Sequence, residues 1–98
     1  MKFTIVTPSF NKGDYIQRTI ESVLKQRRDE LEIEYFVMDN FSSDNTPKIL
    51  EKFSQISEVN VFQQQDLGQF DAINQGWAKG TGEIFAWLNA DDVYFVVS

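Results

Sequence analysis

The 98-residue chain contains no cysteine and no histidine. Without thiols, disulfides and thiolate metal sites are excluded, and without imidazoles the commonest zinc ligand and the commonest general base are missing. Any bound metal must therefore use oxygen ligands, which favours Mg²⁺ or Mn²⁺.

Basic residues are few: the chain has 9 Lys and Arg against 15 Asp and Glu, which gives a net charge of −6. Such a chain offers no basic patch to a phosphate backbone, so we expect no nucleic-acid partner. No stretch approaches the roughly 20 apolar residues that cross a bilayer, and the start does not resemble a signal peptide. These absences predict no membrane segment and a cytoplasmic location, and the length predicts one domain over residues 1–98.

Strand-like and helix-like patterns alternate along the chain. The sequence predicts strands over residues 3–7, 33–38, 59–63 and the apolar run from 84, and helices over 15–26, from 46 onward and over 69–78. This alternation predicts an α/β fold, with a mostly parallel open sheet and flanking helices. We expect the run from 84 to form a strand buried on both faces.

Side-chain positions within the helices can also be predicted. Residues 11–14 are of the capping type for the first helix, and the Thr46 hydroxyl with Pro47 suits the start of the second. In the third helix we expect Phe70, Ile73 and Trp77 to face inward, and we expect Trp87 in the core.

Polar residues follow all four predicted strands. They are Pro8, Ser9 and Asn11 after the first, Asp39 and Asn40 after the second, Asp66 after the third, and Asn89, Asp91 and Asp92 after the fourth. Open α/β sheets bind ligands beyond the carboxyl ends of their strands, so these residues predict one site. Adjacent acids such as Asp91 and Asp92 repel each other unless a divalent cation joins them to a phosphate-bearing ligand. An ordinary solvated turn is the alternative.

Four fragments, in this order and spacing, resemble the inverting GT-A glycosyltransferases of the large family 2. They are Thr-Pro-Ser-Phe-Asn at 7–11 followed by Tyr-Ile at 15–16, Met-Asp-Asn-Phe-Ser-Ser-Asp-Asn-Thr at 38–46, Asp-Leu-Gly-Gln-Phe-Asp-Ala-Ile-Asn-Gln-Gly at 66–76, and Gly-Glu-Ile-Phe-Ala-Trp-Leu-Asn-Ala-Asp-Asp at 82–92. The third is similar to a segment of the bacterial members, and the fourth resembles the strand that leads into their Asp-x-Asp metal motif. The resemblance covers residues 3 to about 94.

The resemblance implies a Rossmann-like, GT-A nucleotide-binding half that uses a nucleotide-diphosphate sugar, with a UDP-sugar favoured. It implies Mn²⁺ or Mg²⁺ bound by Asp92 and assisted by Asp91, because a cation stabilises the charge that grows on the leaving diphosphate. It also implies nucleotide contacts from Pro8, Ser9, Asn11, Asp39, Asn40, Asp66 and Asp91. Asp71 and Asn74 would lie on the sugar side.

Several of these residues have structural interpretations as well. Asp39 is also suited to an Asx-turn that holds the loop 41–44, and Asn11 to a helix cap. Asp44 is expected in a turn or cap rather than against the ligand. Asp71 is equally suited to complementing the dipole of the third helix.

The sequence departs from the family pattern in two ways. Many relatives carry an acid where this chain has Asn40, and that acid can hydrogen-bond uracil. An amide has different donors and acceptors, so the identity of the nucleotide base stays open. Relatives also continue past the acid pair to acceptor-binding elements and a general base, whereas this chain ends at Ser98. We therefore expect a truncated domain that is inactive alone. As a hypothesis, it self-associates through an exposed apolar strand over residues 94–97.

Two other classes of function compete with glycosyl transfer. One is a non-catalytic nucleotide-binding or regulatory module, or a truncated remnant of an enzyme. The other is a receiver-like phosphoacceptor domain, which needs an acid pair after the first strand, where this chain has Pro8 to Asn11. The sugar and acceptor stay open, with polysaccharide, lipopolysaccharide and glycoprotein synthesis equally compatible with the sequence.

Overall fold

The computed structural model describes residues 2–26 and 32–91. Its elements, in chain order, are β1 (Lys2–Ser9), α1 (Ile16–Leu24), β2 (Glu32–Asp39), α2 (Thr46–Phe53), β3 (Val59–Gln63), α3 (Gln69–Lys79) and β4 (Ile84–Trp87). This alternation confirms the predicted α/β fold. The predicted metal ligand Asp92 and the predicted strand 94–97 lie outside the described residues.

Within the described residues the strands form one parallel sheet in the order β3-β2-β1-β4. Alternate side chains of a strand point to opposite faces, so Ile5 and Val6 of β1 enter different clusters. Ile5 packs with residues of α1 and α2, whereas Val6 packs with Ala72 of α3. The sheet is thus covered by helices on both faces, and its carboxyl edge is left for loops. No helix among the described residues is long and apolar enough to span a bilayer.

Helix α3 approaches the sheet closely at Gly76. A Cβ at this position would lie 2.7 Å from both methyl carbons of Val6 and 3.2 Å from Cγ of Met38. A hydrogen is the largest group that the gap accepts, so glycine sets the height of α3 above β1.

The expected burial of β4 on both faces is wrong. Ile84 is 38% exposed, Phe85 46% and Trp87 39%, so the expected core position of Trp87 is also wrong. β4 pairs with β1 along one edge, and no strand in the described part of the chain pairs with its other edge. An apolar run predicts burial only where neighbouring elements cover it, and at an edge that cover is incomplete.

The inward faces predicted for α3 are partly correct. Ile73 is buried, and Trp77 is partly buried, with its indole N–H donating to the Ala86 carbonyl at 3.0 Å. Phe70 is 74% exposed, so its predicted inward position is wrong. It lies in the first turn of α3, which reaches the sheet's carboxyl edge, where the sheet no longer provides a surface to pack against.

The predicted side-chain caps differ from those in the structure. α1 begins after Tyr15 without a side-chain cap, so a capping role for residues 11–14 is wrong. α2 follows Asn45 with no cap from the Thr46 hydroxyl, although Pro47 lies in its first turn as predicted. Instead, Oδ1 of Asp44 accepts the Thr46 N–H at 2.9 Å, which confirms the turn or cap expected of Asp44.

Candidate functional site

A cavity of about 470 Å³ opens at the carboxyl edge of the sheet. Segments following all four strands contribute to its wall. The lining residues are Pro8, Ser9, Phe10, Lys12, Asn40, Asp66, Gly68, Gln69, Asn89, Ala90 and Asp91. The convergence expected of parallel strands therefore produces one concave polar site.

The cavity brings together part of the predicted set. Pro8, Ser9, Asn40, Asp66 and Asp91 line it. Four predicted residues do not: Asn11, Asp39, Asp71 and Asn74. Their positions relative to the cavity do not test ligand contact, but the bonds that they make locally can be described.

Asp39 and Ser42 hold the loop after β2. Asp39 is fully buried, and its carboxylate accepts the Ser42 N–H at 3.0 Å and the Ser42 hydroxyl at 2.5 Å. This is the Asx-turn geometry that the structural interpretation of Asp39 describes. The bonds fix the backbone immediately after Asn40, a cavity residue.

Asn11 joins the loop after β1 to the same β2–α2 loop. Its N–H donates to Oγ of Ser42 at 2.8 Å, and its Oδ1 accepts the N–H groups of Ser43 at 2.8 Å and Asp44 at 3.3 Å. Asn11 has φ of 52°, a left-handed conformation that asparagine tolerates better than most residues. The Thr46 N–H, which donates to Oδ1 of Asp44 at 2.9 Å, lowers the pKa of the Asp44 carboxyl.

Asn40 and Asp66 form a polar pair on one wall of the cavity. Nδ2 of Asn40 donates to Oδ1 of Asp66 at 3.3 Å, and the Gly68 N–H donates to the same oxygen at 3.0 Å. An ionised carboxylate only accepts hydrogen bonds, so the amide nitrogen must face Asp66. The amide oxygen of Asn40 is then the atom that can accept a donor such as a ring N–H.

Asp71 has a structural role at the start of α3. Its Oδ2 accepts the Leu67 N–H at 2.9 Å and the amide of Gln75 at 2.9 Å. A carboxylate in the first turn also suits the helix dipole. Asn74 is exposed on the same helix.

The cavity lining also contains an ion pair and an amide pair. Nζ of Lys12 lies 3.6 Å from Oδ2 of Asp91, and Nε2 of Gln69 donates to Oδ1 of Asn89 at 2.5 Å. Lys12 and Gln69 were not among the predicted site residues. A sequence signal for Lys12 does exist, because it is the one Lys or Arg in residues 10–15, 40–45, 64–68 and 88–91, the segments that follow the strands.

The residues present suit a metal ion shared with a ligand. Among the described residues no group of three or more acids lies close enough to hold a cation. Asp91 offers one carboxylate, and Mg²⁺ is commonly bound through one or two carboxylates together with substrate phosphates. The carboxylate of Asp91 therefore suits a metal ion whose remaining ligands come from a diphosphate.

Ser9 supplies an unsatisfied polar atom in the wall. The residue is only 4% exposed and lines the cavity, yet its hydroxyl has no hydrogen-bond partner among the described residues. A buried hydroxyl without a partner costs stability unless water or a ligand completes it. The same holds for the Thr46 hydroxyl, which does not line the cavity.

Comparisons with known proteins agree with this arrangement. The family model described as "Glycosyl transferase family 2" matches residues 4–95. An uncharacterized glycosyltransferase of Nostoc is 33% identical over 96 residues, covering 96% of this chain and 29% of that protein. The putative teichuronic acid biosynthesis glycosyltransferase TuaG of Bacillus subtilis is 33% identical over 91 residues, covering 91% of this chain and 35% of TuaG.

Solved structures give the same result. The crystal structure of Staphylococcus aureus TarS 1-349 in complex with UDP-GlcNAc has a TM-score of 0.83 and 29% identity, covering 95% of this chain and 27% of that one. The fold is shared with a mannosyltransferase of Pyrobaculum calidifontis in complex with GDP-Man and Mn²⁺. That structure has a TM-score of 0.79 and 24% identity, covering 94% of this chain and 28% of that one. The chain thus spans about a third or less of each of these proteins.

Proposed function

Because the chain belongs to glycosyl transferase family 2, we propose that it is the donor-binding part of a glycosyltransferase that uses a nucleotide-diphosphate sugar. The observation that supports this most directly is the polar cavity at the carboxyl edge, to which segments following all four strands contribute. Such a cavity suits a polar ligand, and open α/β sheets bind nucleotides at this edge. UDP is the favoured nucleotide, because the TarS structure at 29% identity is a complex with UDP-GlcNAc.

The two walls of the cavity suit the two ends of such a donor. Asn40 and Asp66 suit the nucleoside, because the Asn40 amide oxygen can accept a ring N–H from the base. Asp91 suits the diphosphate side, where it would hold Mn²⁺ or Mg²⁺ with Asp92. The cation would stabilise the charge that grows on the leaving diphosphate. The roles of Pro8, Asn11, Asp39, Asp71 and Asn74 in binding stay predictions.

Transfer also needs a base that takes the acceptor proton within hydrogen-bond reach. The carboxylates that line the cavity, Asp66 and Asp91, are each engaged, one with Asn40 and Gly68 and the other with Lys12. We propose that this chain binds the donor and that other parts of a full-length transferase supply the acceptor site and the base. The alternative, a non-catalytic binding module, differs in predicting no transfer by any longer form.

Other parts of the assignment are proposals from the relatives or from the sequence. TuaG of Bacillus subtilis is named for teichuronic acid biosynthesis, and TarS of Staphylococcus aureus is named as a poly(ribitol-phosphate) beta-N-acetylglucosaminyltransferase, so we propose bacterial polysaccharide synthesis as the pathway class. The cytoplasmic location and self-association through residues 94–97 stay predictions from the sequence.

Calorimetric titration of UDP into the chain, with and without Mn²⁺, tests the proposal. We expect Mn²⁺-dependent binding that is weakened in Asp91→Asn and in Asp92→Ala. Asp14→Asn is the matched control, because Asp14 is exposed and does not line the cavity. Absence of UDP binding in both conditions would contradict the proposed function.

A further inference from the structure

Lys12 combines a fixed backbone with a loosely held side chain. Its carbonyl accepts the N–H groups of Tyr15 at 2.9 Å and Ile16 at 2.8 Å, and the next N–H, of Gly13, donates to Asp44 at 3.0 Å. The position of the Lys12 Cα at the cavity is therefore set by the entry into α1 and by the neighbouring loop. Only the side chain remains free to change its partner.

That partner is Asp91, and the pair is weak. Nζ and Oδ2 are 3.6 Å apart, and the two side chains are 41% and 47% exposed. Exposed ion pairs of this kind contribute little, because water screens them and long side chains lose freedom. A stronger ligand for either group will separate them.

A divalent cation and a diphosphate are the stronger ligands for the two groups. A divalent ion attracts the Asp91 carboxylate more strongly than an ammonium does at similar distance, because its charge is doubled. The displaced ammonium would then face the phosphates, which offer several acceptor oxygens, and a lysine binds phosphate as a point charge. No other Lys or Arg occurs in the segments that follow the strands.

We propose that Lys12 is a diphosphate-binding residue that exchanges partners. It pairs with Asp91 in the structure and would contact the diphosphate once a divalent cation binds Asp91. This inference rests on the proposed function. It makes Lys12 a competitor of the metal before the nucleotide arrives and a partner of the nucleotide afterwards, so removing its charge must have opposite effects on the two ligands.

Two titrations of Lys12→Met test the exchange. Mn²⁺ alone is titrated in the absence of nucleotide, with free Mn²⁺ followed by electron paramagnetic resonance, and UDP is titrated calorimetrically at saturating Mn²⁺. We expect tighter Mn²⁺ binding in the variant and UDP binding weaker by about 10-fold or more, the size of one lost charge-assisted contact. Lys12→Arg keeps the charge and should recover most of the UDP affinity.

Lys25→Met is the matched control, since Lys25 is exposed at the opposite end of α1. Unchanged UDP affinity in Lys12→Met, an equal loss in Lys25→Met, or weaker Mn²⁺ binding in Lys12→Met would overturn the exchange while leaving donor binding intact. If the unmodified chain bound Mn²⁺ but not UDP, the proposed function itself would fail, and the assignment of Lys12 with it.

Discussion

Replacing Ser42 by alanine removes a bond on which the geometry of the cavity depends. The Ser42 hydroxyl donates to the fully buried Asp39 at 2.5 Å and accepts the Asn11 N–H at 2.8 Å. Ser42→Ala deletes both bonds and leaves the backbone bond from Ser42 N–H to Asp39, at 3.0 Å, in place. The variant therefore tests the side-chain contribution alone.

The two lost bonds differ in cost. A hydrogen bond to a charged acceptor is worth about 1.5–3 kcal/mol, and the buried Asp39 oxygen has little access to replacement water. The Asn11 N–H is near the surface, where water can take over, so its loss adds little. We expect the free energy of unfolding to fall by about 2 kcal/mol, which corresponds to a drop in Tm of roughly 8–16 °C in a domain of this size.

Urea unfolding followed by the fluorescence of Trp77 and Trp87 measures the change. Ser43→Ala is the control, because the Ser43 hydroxyl is exposed and makes only a 3.4 Å contact with Asn11. Surface changes of this kind lie within about 0.5 kcal/mol of no effect. Equal unfolding midpoints for the two variants, with equal denaturant slopes, would refute the claim that Asp39 and Ser42 hold the loop.

Three further predictions concern packing, pH and the base side of the cavity. Gly76→Ala should lower the free energy of unfolding, measured in urea, by up to about 2 kcal/mol, because the clash with Val6 costs about 1–3 kcal/mol and the helix gains only about 1 kcal/mol; a variant more stable than the unmodified chain would contradict the close contact. Burial raises the pKa of Glu34, but hydrogen bonds from Thr81 and Thr4 and the charge of Lys2 outweigh it, so the folded pKa lies below 4.5. The stability that this lowered pKa contributes is present above pH 4.5 and is lost as the pH falls through the folded pKa. Below pH 4.5 the urea midpoint of the unmodified chain should therefore fall more steeply than that of Glu34→Gln. Parallel plots of urea midpoint against pH for the two proteins would exclude the effect. Asn40→Asp would set a second carboxylate about 3.3 Å from the Asp66 oxygen, so repulsion between the two acids should lower the urea midpoint at pH 7, whereas a midpoint equal to that of the unmodified chain would contradict the Asn40–Asp66 pairing.

The order of strands and helices could be predicted because each element carries its own periodicity. The four strands and three helices begin within a few residues of the predicted positions, and Pro47 marks the start of α2 as expected. The burial of β4 could not be predicted in this way. Its apolar run is local, whereas the cover over Ile84, Phe85 and Trp87 depends on which elements neighbour the edge of the sheet.

The candidate site shows a similar limit. Topology alone placed the polar residues that follow the strands at one edge, and Pro8, Ser9, Asn40, Asp66 and Asp91 do line the cavity. Whether an acid or amide faces the cavity or braces a loop depends on contacts between distant segments. Asn11, for example, accepts from Ser43, 32 residues away. A sequence pattern does not show which loops contact each other, so it cannot distinguish a residue that faces the cavity from one that braces a loop.

Two contacts near the cavity differ in how firmly they are held. The backbone next to Asn40 is fixed by bonds to the buried Asp39, as in the 2.5 Å contact with Ser42. The phosphate side is closed by an exposed 3.6 Å ion pair between Lys12 and Asp91. A donor that brings its own cation and diphosphate requires Asp91 and Lys12 to find new partners, whereas the nucleoside wall can stay unchanged. Breaking an exposed ion pair is inexpensive, so a ligand-dependent rearrangement at this pair costs little binding energy.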